Sequence, residues 1–159
     1  MDTLKTLLNR YQLSIAVAES LTCGHLQAAL GAVSGSSAFF AGGVTAYNIE
    51  QKISLLNVDR HHAAAVNCVS QRVANEMAVG VCRLFKVDLG IGTTGYAEPS
   101  LVDQVDAPYA YFSICRREGD NISIVAERQL SGVGLGRVAM QDYVASAALQ
   151  ALVDYLLGL

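Results

Sequence analysis

Ser14-Ile15-Ala16-Val17-Ala18 is a short apolar run that stops at Glu19-Ser20 and gives way, from about Thr22 to Val33, to apolar residues at helical spacing. A brief continuous apolar stretch bounded by polar residues reads as a strand buried on both faces. Ser20 or Thr22 then offers a hydroxyl to the first free N–H groups of the helix that follows. Strand, polar turn and helix in that order form the unit from which open α/β sheets are built.

The same reading extends in both directions. Thr3 to Tyr11 places Leu4, Leu7 and Leu8 on one helical face, with Asp2 as a cap. Ser34 to Ser37 is a turn, Gly43 to Tyr47 a second strand, and Asn48 to Leu56 a short helix. His61-His62 falls in a solvent-exposed loop. Ser70 caps a helix over Gln71 to Phe85, where Val73, Met77, Val81 and Leu84 recur at helical spacing. Leu89 to Thr94 is a third buried strand. Tyr109 to Cys115 and Ile122 to Leu130 alternate around Glu118-Gly119-Asp120-Asn121, a hairpin signal. After Gly132, Gly134 and Gly136, a last helix runs from Arg137 to Leu157. The expected fold is a three-layer α/β/α sandwich with a mixed sheet and one late β-hairpin, in a single domain over residues 1–159.

Composition narrows the class of function. The 159 residues are 52% hydrophobic and 16% charged, with net charge −3. The eleven basic residues are scattered, whereas phosphate contacts along a nucleic acid need clustered Lys and Arg, so no nucleic-acid partner is expected. No apolar run approaches the length of a membrane span, and Met1 to Arg10 suits a first helix better than a signal peptide, so the expected setting is cytoplasmic. Cys23, Cys68, Cys82 and Cys115 show no C-x-x-C spacing and read as reduced thiols. No metal and no cofactor are expected. Small size and apolar composition suggest a homo-oligomer.

Chemistry concentrates in Ser34-Gly35-Ser36-Ser37, Gly42-Gly43, Tyr47 and Lys52. A serine needs a base to become a nucleophile, and a lysine with a pKa depressed by burial can be that base. Glu19 stands at the carboxyl end of the first expected strand, where open sheets bind ligands. It faces a substrate or else holds the Thr22 turn. The start of the Thr22 helix is a possible anion site, and Cys23 there is a rival nucleophile.

Ala18-Glu19-Ser20-Leu21-Thr22-Cys23-Gly24, Gly35-Ser36-Ser37, Gly42-Gly43, Tyr47, Lys52, Leu55-Leu56-Asn57-Val58, Val69-Ser70 and Thr94-Gly95 together resemble the C-terminal domain of CinA, a family that includes stand-alone nicotinamide mononucleotide deamidases. The resemblance implies hydrolysis of a nicotinamide mononucleotide carboxamide to nicotinate mononucleotide and ammonia, without a metal. It implies Ser37 as nucleophile, Lys52 as general base, Tyr47 assisting and Thr94 in the same site. Expected substrate contacts are Glu19, Thr22, Gly24, Ser36, Gly43, Gly95 and Arg137.

The chain departs from the family pattern in three places. Cys23 stands where a glycine is usual. Glu98, Asp103 and Asp106 enter a loop, Tyr96 to Pro108, that is usually glycine-rich and carries a lysine, and carboxylates there disfavour an anion on Coulomb grounds. Gln141 stands where a second arginine is usual. Two further readings therefore stand beside the first: an amidohydrolase of a less anionic substrate, and a catalytically silent ligand-binding or regulatory protein.

Overall fold

The computed structural model describes residues 1–159. Five strands form one mixed sheet in the order β2-β1-β3-β4-β5. They are β1 (Ile15–Glu19), β2 (Phe40–Thr45), β3 (Leu89–Tyr96), β4 (Tyr109–Glu118) and β5 (Asn121–Ser131). β1 pairs in parallel with both β2 and β3, while β3–β4 and β4–β5 are antiparallel. The hairpin expected around Glu118–Asn121 closes there, with Gly119 supplying the positive φ of 63° that the tight turn needs.

Helices cover both faces, and the residues of β1 show why. Ile15 and Val17 point into a core shared with α1 (Asp2–Tyr11), α2 (His25–Gly31) and α6 (Arg137–Leu157). Ala16 and Ala18 point into a second core with α3 (Ile49–Leu56), α4 (Arg60–Ala65) and α5 (Gln71–Phe85). Alternate residues of one strand thus feed two cores, which makes the molecule a three-layer α/β/α sandwich. No helix is long and apolar enough to cross a membrane.

Two expectations about elements are corrected. The Thr22 helix begins only at His25, because Cys23 and Gly24 adopt left-handed φ angles of 44° and 103°. His61-His62 lies in α4 rather than a loop, since the Asp59 side chain accepts the His62 N–H and starts a helical turn.

Strand order also fixes where a ligand can sit. The chain leaves β1 through α2 on one face and returns to β3 through α3, α4 and α5 on the other. β2 and β3 flank β1, so the two connections part at its carboxyl end and leave a crevice there. Gly90 and Gly92 let α5 lie against β3: a Cβ on Gly92 would meet the Ala74 carbonyl and stand 2.6 Å from the Ala78 nitrogen. Backbone cannot retreat as a flexible side chain can. Gly92→Ala is therefore expected to lower stability by about 1–3 kcal/mol, read as a lower urea midpoint with an unchanged m-value.

Candidate active site

A cleft of about 540 Å³ opens at the carboxyl ends of β1, β2 and β3. Ser20 enters it immediately after β1, Tyr47 and Asn48 follow β2, and Thr94 to Ser100 run from the end of β3 into the loop beyond it. Lys52 reaches in from the first turns of α3, and Cys68 from the loop before α5. Arg137, the first residue of α6, closes one side.

Lys52 is the central group. It is a lysine only 1% exposed, which is rare for a charged side chain. Its Nζ contacts Ser20 Oγ at 2.9 Å, the Ala46 carbonyl at 2.8 Å and the Tyr47 carbonyl at 2.9 Å. Two of these three partners are carbonyl oxygens and only accept, so they claim two N–H groups. The remaining tetrahedral position faces Ser20. In the ammonium form it holds a third N–H; in the amine form it holds a lone pair able to accept the Ser20 proton. Burial pulls the Lys52 pKa from 10.5 down to about 8, opposed weakly by the neighbouring Cys68 thiol. The amine form is thus accessible near neutral pH.

Ser20 is buried and held by its backbone. Its N–H donates to the Thr93 carbonyl at 3.1 Å, and the Ala46 N–H donates to the Glu19 carbonyl at 2.9 Å. These bonds extend the parallel ladders one step beyond the strands. Glu19 fixes the next turn. One carboxylate oxygen accepts the Gly24 and Leu26 N–H groups at 3.0 and 3.1 Å, and the other accepts the Gln27 N–H at 2.9 Å. It therefore occupies the start of α2 as that helix's own anion. Gln141 donates to the Leu21 carbonyl from α6 at 2.8 Å, tying the same turn to the opposite layer.

The expected site residues separate into two groups. Lys52, Tyr47, Thr94, Gly95 and Arg137 line the cleft. Thr94 donates its hydroxyl to the Cys68 carbonyl at 2.6 Å, and Tyr47 meets Lys52 through its carbonyl rather than its phenol. A Cβ on Gly95 would stand 2.5 Å from the Tyr109 carbonyl, so that position is bare for β4 as well as for the cleft.

Ser37 and Ser36 are elsewhere, so the structure does not bring the expected nucleophile to Lys52. They sit in a one-turn 3₁₀ helix before β2, exposed or half-buried, beside the Lys5 amine that donates to the Ser34 carbonyl. The six residues of β2 then carry the chain to the opposite edge of the sheet, roughly 20 Å away at strand rise. The hydroxyl against Lys52 belongs to Ser20, which sequence reasoning had set aside as a helix cap.

Four further expected contacts do not face the cleft either. Glu19 is spent on α2. Thr22 is buried against the Thr93 hydroxyl at 2.8 Å, and Gly24 caps α2 with its N–H on Glu19. Gly43 is bare because a Cβ would stand 2.8 Å from both the Val17 carbonyl and the Gln27 side chain, where α2 crosses β2. Cys23 is exposed and outside the cleft.

A family model described as the CinA C-terminal domain matches residues 1–156. The chain belongs to the CinA C-terminal domain family. Among its relatives, Protein MG115 of Mycoplasma genitalium is 43% identical over 107 residues, covering 67% of this chain and 68% of that protein. A CinA-like protein of Chlorobium limicola is 46% identical over 99 residues, 62% of this chain but only 23% of its own length. A solved structure of a competence-damaged protein (CinA) superfamily protein from Klebsiella pneumoniae superposes with a TM-score of 0.88 at 27% identity, covering 99% of this chain and 95% of that one. The CinA fold here is thus the same three-layer sandwich from end to end.

Burial of Lys52 has a sign that can be checked. Its folded pKa of about 8 lies below the unfolded 10.5. Below pH 8 both states carry the proton, and the native state bears a burial cost of about 3 kcal/mol. Between pH 8 and 10.5 only the unfolded state keeps it, so stability rises with pH across that window. Relative to Lys52→Met, the wild-type unfolding free energy is expected to increase between pH 7.5 and pH 10 in urea titrations.

Proposed function

We propose that this CinA-family chain is an amidohydrolase with Ser20 as nucleophile and Lys52 as general base, acting on the carboxamide of a nicotinamide nucleoside or nucleotide. The observation that carries the reading is the 2.9 Å contact between a buried, deprotonatable amine and a buried serine hydroxyl at the floor of an open cleft. Such a pair is the activated-serine arrangement in its lysine form.

The steps follow from the bonds. With Lys52 in its amine form, two N–H groups stay on the Ala46 and Tyr47 carbonyls while the lone pair takes the Ser20 proton. Ser20 Oγ bonds to the carboxamide carbon and its C=O π pair moves onto oxygen. Leu21, next along the chain, lines the same cleft, and its N–H has no backbone acceptor in the fold, which leaves it free to receive that oxyanion. Collapse re-forms the carbonyl and breaks the C–N bond, and Lys52 returns its proton to the leaving nitrogen as ammonia departs. Water then adds to the acyl-serine, losing a proton to Lys52, and collapse breaks the ester bond, releasing the carboxylic acid as Lys52 returns that proton to Ser20 Oγ. The Ala46 and Tyr47 carbonyls hold the ammonium form between transfers, so the proton has a defined resting place.

Ammonia release from nicotinamide mononucleotide and from nicotinamide riboside tests the reading. Ser20→Ala and Lys52→Met are each expected to lower kcat by 10³-fold or more, while Ser37→Ala leaves it within twofold. Activity should rise with pH along a single titration centred near 8, as Lys52 loses its proton. Loss of turnover in Ser37→Ala with retention in Ser20→Ala would reverse the assignment.

A further inference from the structure

Besides Lys52, the cleft holds one cation, Arg137, and it is already taken. Its Nε donates to Glu98 Oε1 at 3.0 Å, and one terminal guanidinium nitrogen pairs with the same oxygen. Both residues line the cleft and both side chains are about half exposed. Glu98 holds the Arg137 guanidinium above its ordinary pKa, with the Tyr47 phenol as a second neighbour. The other loop acids are engaged or turned away. Asp103 accepts from the Ser100 hydroxyl at 2.7 Å and from the Asn67 amide at 3.2 Å, and Asp106 is exposed outside the cleft. Glu98 alone places a carboxylate where a substrate anion would need the arginine.

We propose that Glu98 is a specificity-determining residue that occupies Arg137 and sets the cleft for carboxamides lacking a phosphate, so that a phosphomonoester on the substrate is selected against. The inference rests on the amidohydrolase reading of the same cleft. A phosphate must displace Glu98 from Arg137 and then remain beside the displaced carboxylate. Its attraction to the arginine is largely cancelled by repulsion from the glutamate at similar range. A substrate without phosphate leaves the pair in place. The pair is solvent-accessible and its strength correspondingly modest, so the discrimination is graded rather than absolute and weakens as salt screens both charges.

Calorimetry on Ser20→Ala protein, which binds without turning over, separates selection from chemistry. The probes are nicotinamide riboside and nicotinamide mononucleotide. The riboside is expected to bind more tightly than its phosphate ester, and adding Glu98→Gln should shift the ratio of the two Kd values toward the phosphate ester by about tenfold at low salt. The shift should shrink in 0.5 M salt, a response that a merely structural effect of the substitution would not give. An unchanged ratio, or tighter binding of the phosphate ester when Glu98 is present, overturns the proposal. Hydrolysis by protein with Ser20 intact is scored separately. A riboside that binds with the expected ratio but is not cleaved sinks the amidohydrolase reading and leaves the selectivity standing. Cleavage with no Glu98-dependent ratio does the reverse.

Discussion

Everything in the cleft is organised around one amine that the fold has taken out of water. Lys52 is held on three sides by acceptors contributed by two strand ends: Ser20 after β1, and the carbonyls of Ala46 and Tyr47 after β2. Those acceptors can meet at one point only because β1 and β2 run parallel in register, with Glu19 opposite Thr45. An antiparallel pairing would send the two ends to opposite edges of the sheet. The burial that makes the amine useful also opposes folding, and the surrounding sandwich supplies the apolar surface that outweighs it.

Around the amine, rigid and adaptable parts are separated. Ser20 sits between a ladder bond to Thr93 and a turn whose amides are gathered by Glu19. The facing wall is a loop, residues 97–108, stitched by a single Ser100–Val105 bridge and by hydrogen bonds from Asn67 to Tyr96 and Asp103. Leu101 and Val102 at its tip are almost fully exposed. The amine–hydroxyl contact stands on strand ends, and the loop and Arg137 supply the rest of the cleft wall.

Much of the architecture was legible in the chain because its signals were local and redundant. Gln71–Phe85 and Arg137–Leu157 carry long helical periodicity, and both emerged with the expected ends; Ser70 caps the first as its hydroxyl suggested. The hairpin was marked by alternation on both sides of a glycine turn. α4 was missed because six residues carry almost no periodicity, and its start depends on one aspartate. Lys52, Tyr47, Thr94, Gly95 and Arg137 were legible as cleft residues. Ser20 was not: a serine after a strand and before a helix looks the same whether it caps or attacks. Ser37 was named through the family resemblance, and it lies in the turn before β2, a full strand away from Lys52. The usable signal was parallel topology, since in such a sheet residues just after successive strands converge and residues just before them do not.

The triple capture of α2's opening amides by Glu19 bears on how such a domain can change. It fixes the turn that follows Ser20 within the fold itself, so that turn needs no ligand to order it. The opposite wall is then at liberty to vary, in length, charge or polarity, without disturbing the Lys52–Ser20 contact. A scaffold divided in this way can drift among ligands while its buried amine–hydroxyl contact stays the same.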